Sequence, residues 1–462
     1  MQKIGDHAVV LGAGIAGLLA TRVLTEAYER VTIVERDPLP DTAETRRGVP
    51  QGRHAHNLLP SGARIIGQLF PGLLDDLEAG GTPVVRDFAE IRFSPAGHLL
   101  HLRGRPAEPL IYQPSRPYLE GHLRGRVRAL PAVEILDRCE AIGLATTATR
   151  DRVTGVRILR RVDGGSTEKT LDADLVVDAT GRGGRTPAWL AALGCEQPPE
   201  VRLPIDVKYA SRHLRLGPGA LGGAKFVAIG AEPGRPTGLV LFAQEGDRWI
   251  LTAIGYGAHH PPTDPEDFLA FIEPIAPSDI FTAIRDAEPL DDIVTYRFPA
   301  DVRRRYERLR HFPAGWLVFG DALCSSNPSY ALGMSVAALQ AVALRDSLAS
   351  RDRNLARRFF GAASKPTTMA WQLTVGSDLT LPHVQGPRPL SFRVINAYID
   401  RVLTAAERDP SVAEQFVRVA ALQHPFKRLF RPSMALRVLL GNLGRHRASA
   451  RDAVPRAAVL PS

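Results

Sequence analysis

The chain is poor in cysteine, in lysine and in long apolar runs, and each scarcity narrows what it can be. Cys139, Cys195 and Cys324 are its only cysteines; they are scattered, odd in number and without CxxC spacing. That pattern excludes a disulfide framework and a cysteine-based zinc site, and it fits a reducing, cytoplasmic setting. The longest apolar run near the start lies between Asp6 and Arg22 and is interrupted by glycines, too short for a membrane span. It reads as strand, turn and helix rather than as a signal peptide, so no transmembrane segment is expected. Six lysines in a chain of net charge +9 make the basic excess almost all arginine. It gathers at the end, where eleven Lys/Arg stand against four Asp/Glu from Arg401 onward. No aromatic-interleaved basic stripe accompanies it, so nucleic acid is not an expected partner and a solvated helical tail is the plain reading.

What is present is a globular composition, 44% hydrophobic and 23% charged over 462 residues. That is enough for two or three domain-sized units with a sizeable core, without repeats or low-complexity tracts. HAVVLG, IAGLLATRVLTEAY and VTIVE predict strand, helix and strand, a parallel β-α-β unit with a crossover helix. A helix is expected over PYLEGHLRGRVR, then strands at VEIL, VTGVRILRRV and LDADLVVDATG. From about Leu203 to Phe298, alternating segments such as IDVKYASRHLRL and TGLVLFAQ predict an antiparallel sheet with one face toward a pocket. GWLVFGDA and a long helix to about Leu348 restore the α/β character, and the chain is largely helical after Lys365, fraying beyond Leu443. The fold class is therefore α/β: a dinucleotide-binding, Rossmann-like domain of the glutathione reductase type, with an inserted antiparallel substrate sheet and a helical C-terminus. Residues 1–85, 110–200 and 296–365 are assigned to the first domain and 86–109 and 201–295 to the sheet. Residues 366–445 form the helical region and 446–462 a flexible tail.

The strongest local motif is VVLGAGIAG. Gly12, Gly14 and Gly17 stand in GxGxxG spacing, a pattern that this glycine content produces about 0.3 times by chance. Context adds weight, because the motif leaves a strand and opens a helix, where free N–H groups and the helix dipole hold a pyrophosphate. Glu35 ends the next strand near the offset expected of the carboxylate that accepts from a ribose diol. Its charge disfavours a 2′-phosphate, and Arg36 beside it is placed over the adenine. Two distant segments favour FAD over NAD. LVVDATGRGGR places Asp178 after a second buried strand, and LVFGDALCSSNPSYALGM places Gly320 and Asp321 after a third. Asp321 suits ribityl hydroxyls, and the helix opening at Gly333 and Met334 suits the charge a flavin gains on reduction.

GAGIAG with Glu35, SRPYLEGHLR with Arg116, VDATG and FGDALCSSNPSYALGM together resemble the flavin monooxygenases of the p-hydroxybenzoate hydroxylase fold. RRGVPQGRHAHNLLPSGAR, DATGRG and RRRYERL followed by GD most resemble the polyether-pathway epoxidases (monensin- and lasalocid-type) within that group. The likeness runs from about residue 7 to 350. It implies pyrophosphate at Gly12, Ala13, Gly14, Ile15, Ala16 and Gly17, the adenosine at Glu35, Arg36 and Cys139, and the FAD linker at Arg46 and Arg116. Asp178, Gly320 and Asp321 would meet the ribityl and pyrophosphate region, with Gly333 and Met334 at the ring. Arg53, His54, His56 and Pro328 are flavin- or substrate-proximal candidates, no catalytic residue is assigned, and no ligand cluster suggests a metal. Ala331 departs from the family's NPxYGxGM, where glycine is common. The implied reaction uses O2 through a flavin C4a-hydroperoxide, with electrons from NAD(P)H or a separate flavin reductase. Its substrate would be an apolar polyketide, terpenoid or indole of secondary metabolism, as in antibiotic biosynthesis. Alkene epoxidation is expected because no Tyr or His relay for making phenolate stands out. Aromatic hydroxylation, reduction of isoprenoid double bonds and a non-catalytic flavin sensor are the alternatives. Halogenation is disfavoured, since Trp189, Trp249, Trp316 and Trp371 are isolated and form no WxWxIP.

Overall fold

The computed structural model describes residues 3–162, 165–350 and 354–451. Its first core element is a five-stranded sheet whose central β-branched and leucine-rich strands are buried on both faces, as parallel strands covered by helices must be. Gly5–Leu11 lies between Tyr28–Val34 and Leu175–Asp178, with Trp316–Val318 and Val133–Leu136 at the edges. Every pairing is parallel. The register sets Leu11 beside Val34 on one side and Asp178 on the other, and Asp178 beside Val318. The carboxyl ends of three strands more than a hundred residues apart are thereby brought together at one crevice, where open α/β sheets bind ligands. Ile15–Leu24 crosses over the sheet with eight of its ten residues buried.

The second element is an eight-stranded sheet built on Glu200–Arg215, Phe226–Ile229, Thr237–Gln244, Arg248–Tyr256 and Val294–Arg304. Ile91–Ser94 adds to its edge, parallel to Phe226–Ile229. Alternation in these strands separates two faces. Leu239, Leu241, Leu251 and Ala253 pack on the helices Pro265–Ile272 and Ser278–Arg285. On the other face the register aligns Ser211, Thr252, Val240, Ala228 and Phe93 in one cross-strand row. The neighbouring row is His213, Ile250, Phe242, Phe226 and Ile91.

The strand Val294–Arg304 runs through position 296 and stays with this sheet to Arg304, because its pairing with Glu200–Arg215 resumes beyond an irregularity between Pro204 and Val207. The C-terminal helices include Leu355–Asp378, Leu390–Ala406, Pro410–Ala420 and Pro432–Arg451. The last passes the expected boundary at 445, since residues 444–451 hold arginine and alanine, good helix formers, and no proline. The rest of the expected tail, 452–462, lies outside the described residues. Among the described residues no helix is long and apolar enough to cross a membrane.

Candidate cofactor and substrate site

The three glycines of the first turn are needed for different reasons. Gly12 has φ +97°, and an added Cβ would sit 2.8 Å from the Ala179 carbonyl. At Gly17 the added Cβ would meet the Gly12 carbonyl at 1.9 Å. Both are therefore imposed by the fold itself. Gly14 is not: its φ is −74° and an added Cβ would touch nothing within 4 Å. No side chain caps the helix that Gly14 opens, so its first amides face that open space, the donor set a pyrophosphate takes.

Behind the turn lies a buried charge network. Glu35 accepts from the Ala13 N–H at 2.8 Å and from the Asp37 N–H at 3.0 Å. Arg46 reaches Glu35 at 3.4 Å, and its Nε donates to Glu120 at 2.7 Å. Arg116 donates to the other Glu120 oxygen at 3.2 Å, and Arg124 completes the group. Arg46, Glu35, Asp37, Glu120 and Arg124 are all under 9% exposed. Buried arginine is stable here because each guanidinium meets carboxylate, and the network ties the Glu35 strand to the Arg116–Arg128 helix. Glu120 and Asp37 escape a sequence reading, though the i,i+4 spacing of Arg116 and Glu120 on one helix was a usable signal. Arg36 is exposed at the end of its strand. Cys139 is 1% exposed, with its thiol held protonated by burial and its N–H on the Glu35 carbonyl at 2.8 Å. Only its main chain faces the adenosine end.

Asp178, expected beside the cofactor, locks its own turn. It is fully buried, one carboxylate oxygen accepts from the Thr180 N–H and hydroxyl, and the other from the Thr186 hydroxyl. Asp321 behaves in the opposite way. It is open to solvent at the floor of the crevice, whose walls raise its carboxyl pKa by desolvation against the pull of Arg116 and Arg182. An added Cβ on Gly333 would lie 4.0 Å from Asp321 Oδ1, and one on Gly320 would lie 2.7 Å from the Ala16 methyl. The GD turn therefore packs on the first helix and aims its carboxylate at the start of the Gly333–Ala349 helix. The Gly320 N–H is held by Gln340 Oε1 at 2.7 Å. Met334 packs partly buried against the main core. Pro328 opens the turn before it, and Ala331 takes a left-handed φ of +55°.

The segment with two histidines docks on the sheet. His54 Nδ1 shares a hydrogen bond of 2.7 Å with the Ser211 hydroxyl, which meets Thr252 at 2.6 Å. The Ala55 N–H donates to Thr252 at 3.2 Å. Burial holds both imidazoles neutral: His54 is lowered to about 4, helped by Arg53, and His56 to about 3, helped by Arg116. Arg53 is exposed. His54 sits 5.7 Å from the Tyr296 ring and 6.2 Å from Tyr209, and Arg182 lies 5.0 Å above Phe298. Beyond this hydroxyl pair the sheet face is apolar, with Phe226 stacked on Phe242 at 4.5 Å and edge-on to Phe93. Among the described residues no cluster of His, Cys, Asp and Glu could hold a metal ion.

A bare-backbone cradle at Gly14, a buried acid at Glu35 and an accessible carboxylate at Asp321, set around one crevice, fit FAD. No family model matches the chain. It is 38% identical over 428 residues to Protein Rv3254 of Mycobacterium tuberculosis, covering 89% of both chains. It is 28% identical over 423 residues to a kynurenine 3-monooxygenase of Salinispora tropica, covering 87% of this chain and 85% of that one. Among solved structures, the flavin-dependent brominase Bmp2 matches with TM-score 0.66 at 13% identity, over 97% of this chain and 100% of that one. p-Nitrophenol 4-monooxygenase PnpA of Pseudomonas putida matches with TM-score 0.63 at 16% identity, over 92% and 100%. The chain thus belongs to one family with Protein Rv3254 and is built on the fold of the FAD-dependent monooxygenases.

Proposed function

We propose that the protein is an FAD-dependent monooxygenase that places one oxygen atom of O2 on a neutral, apolar natural-product intermediate, with alkene epoxidation as its reaction. The observation that carries the substrate half is the apolar character of the sheet face next to the His54–Ser211–Thr252 contact, where Phe226, Ala228, Phe242 and Ile250 pack with Val85, Phe88, Leu110 and Ile111. Its two central rows present Phe93, Ala228, Val240, Ile250, Phe242, Phe226 and Ile91, with the Ser211–Thr252 hydroxyls and His213 at one end. Between His213, which is paired with Asp291, and Ile91 the rows carry no ionisable side chain, so a charged substrate buried there would be unpaired, which is costly.

Reduced FAD supplies the activation of O2. The chain's own part is to bind, orient and exclude water. The Gly14 turn and the first-helix amides hold the pyrophosphate, Glu35 the ribose and Asp321 the ribityl hydroxyls, while the amides at Gly333–Met334 favour negative charge at the ring. The apolar face displaces water from the reacting centre, which strengthens every fixed dipole around it. Neutral His54, fixed through Ser211, offers a hydrogen bond without bringing a charge. Epoxidation asks for no substrate deprotonation.

The test is mass spectrometry under 18O2, with FAD and NAD(P)H or a flavin reductase, against neutral polyenes, aromatic polyketides and indoles. The expected product is a polyene carrying one 18O, formed one-for-one with O2 consumed. Hydrogen addition without O2 uptake would make the protein a double-bond reductase, and halide incorporation would make it a halogenase. Asp321→Ala should lose FAD while remaining folded; unchanged FAD affinity would place the ribityl chain elsewhere.

A further inference from the structure

We propose that Asp301 and Asp378 share a single proton and, as one buried acid pair, position the Asn327–Met334 turn against the flavin; the proposal rests on the FAD reading above. The two residues come from different layers. Asp301 lies on the strand Val294–Arg304 and Asp378 at the end of the helix Leu355–Asp378, and both are 0% exposed. Each carboxyl has one oxygen committed to the turn. Asp301 Oδ1 accepts from the Asn327 N–H at 2.6 Å, and Asp378 Oδ1 accepts from Asn327 Nδ2 at 2.9 Å and the Tyr330 hydroxyl at 2.8 Å. Their remaining oxygens, Asp301 Oδ2 and Asp378 Oδ2, have no N–H or O–H donor from any other described residue. The two side chains meet across Asn327, which donates its N–H to one and its Nδ2 to the other, and each bears on the other's protonation. Two acceptors can bond only if one carries a proton, and that proton satisfies both orphaned oxygens at once.

The surroundings leave no other solution. Among the described residues no Lys, Arg or His forms an ion pair with either carboxylate, and two buried like charges side by side cannot both persist. Burial raises both carboxyls, and at Asp378 the Asp301 charge adds to it. The titratable groups facing the pair are Tyr209, Tyr256, Tyr330 and Cys324, all kept protonated by burial, with His383 5.9 Å beyond the Tyr256 ring. Tyr209 donates to Asn327 Oδ1 at 2.7 Å, and Asn327 Nδ2 reaches the Tyr256 hydroxyl at 2.9 Å. Asn327 is thus gripped through main chain and side chain by both sheet and helix, six residues before Gly333. Loss of the shared proton replaces a hydrogen bond with repulsion under the turn that carries Gly333 and Met334.

The experiment is an equilibrium FAD titration from pH 7 to 10, on wild type and on Asp378→Asn, with circular dichroism at each pH. An Asn amide donates to Asp301 as the shared proton did and cannot be titrated. Wild-type FAD affinity should fall on the alkaline side, by up to about tenfold per pH unit, the limit for one linked proton. Asp378→Asn should bind like wild type at pH 7 and stay flat. An equal alkaline loss in Asp378→Asn would assign the effect to the tyrosines or Cys324 and overturn the proposal. So would a wild-type affinity unchanged to pH 10, a result that stands even if the variant does not fold. Asp301→Asn is the reciprocal variant with the same expectation. Absence of FAD binding in wild type at pH 7 would instead reject the FAD reading itself.

Discussion

Adding one methyl group at Gly14, and comparing it with the same change at Gly17, separates the needs of the fold from the needs of the ligand. At Gly17 the methyl would stand 1.9 Å from the Gly12 carbonyl, so the helix must move away from the strand and the apoprotein suffers. At Gly14 the backbone already has φ −74° and the methyl meets nothing within 4 Å. Exchanging glycine for alanine at this helix N-cap costs the apoprotein only about 0.5–1 kcal/mol. Bound FAD would tell another story. The methyl occupies the space that the first-helix amides face, and two charge-assisted hydrogen bonds weakened together cost about 3 kcal/mol, more than a hundredfold in affinity. Denaturant unfolding of the apoproteins and fluorescence titration with FAD measure the two effects independently. Gly14→Ala should unfold near wild type and bind FAD over a hundredfold more weakly, whereas Gly17→Ala should lose stability before any ligand is added. Wild-type FAD affinity in Gly14→Ala would refute the placement of the pyrophosphate.

Ala331 holds a left-handed φ of +55°, a conformation that costs an L-residue about 1–2 kcal/mol; in denaturant melts Ala331→Gly should raise the unfolding free energy by about 0.5–1 kcal/mol after the added freedom of the unfolded chain. Arg46→Met leaves Glu35 buried without its cation and takes one of three arginines from Glu120, and should cost about 3 kcal/mol of unfolding free energy. His54, 7% exposed, is lowered from 6.5 to about 4. The unfolded chain therefore binds its proton first, and the stability this neutral imidazole contributes above pH 6.5 drains away as pH falls toward 4. Wild type should lose roughly 2 kcal/mol between pH 7 and 5 through this residue, and His54→Asn should remove that part of the slope in urea melts.

Much of the site was legible in the chain because its signals are local. GAGIAG, with Glu35 near the expected offset, reports a turn whose glycines and carboxylate act through neighbouring backbone. The DATG and GD segments declare themselves as strand ends by the apolar runs before them. Ala331 stood out by residue type, and the structure supplies the reason, since the position demands a backbone angle glycine adopts freely. Asp178 shows the limit of such reading. An acid after a strand can serve a ligand or lock its turn, and the hydrogen bonds from Thr180 and Thr186 arise only in the folded chain.

The partners that turn these segments into a site were invisible for a different reason. Arg46 and Glu120 are 74 residues apart, His54 and Ser211 are 157 apart, and Asp301 and Asp378 carry no motif at all. Periodicity and turn chemistry operate over a few residues, so the sequence alone determined the β-α-β entry, the alternating sheet and the glycine turns at the strand ends. Which buried charges meet, which imidazole stays neutral and which two acids share a proton depend on desolvation and on distances across layers. Those quantities exist only once the chain has closed on itself, and the tertiary structure decided them.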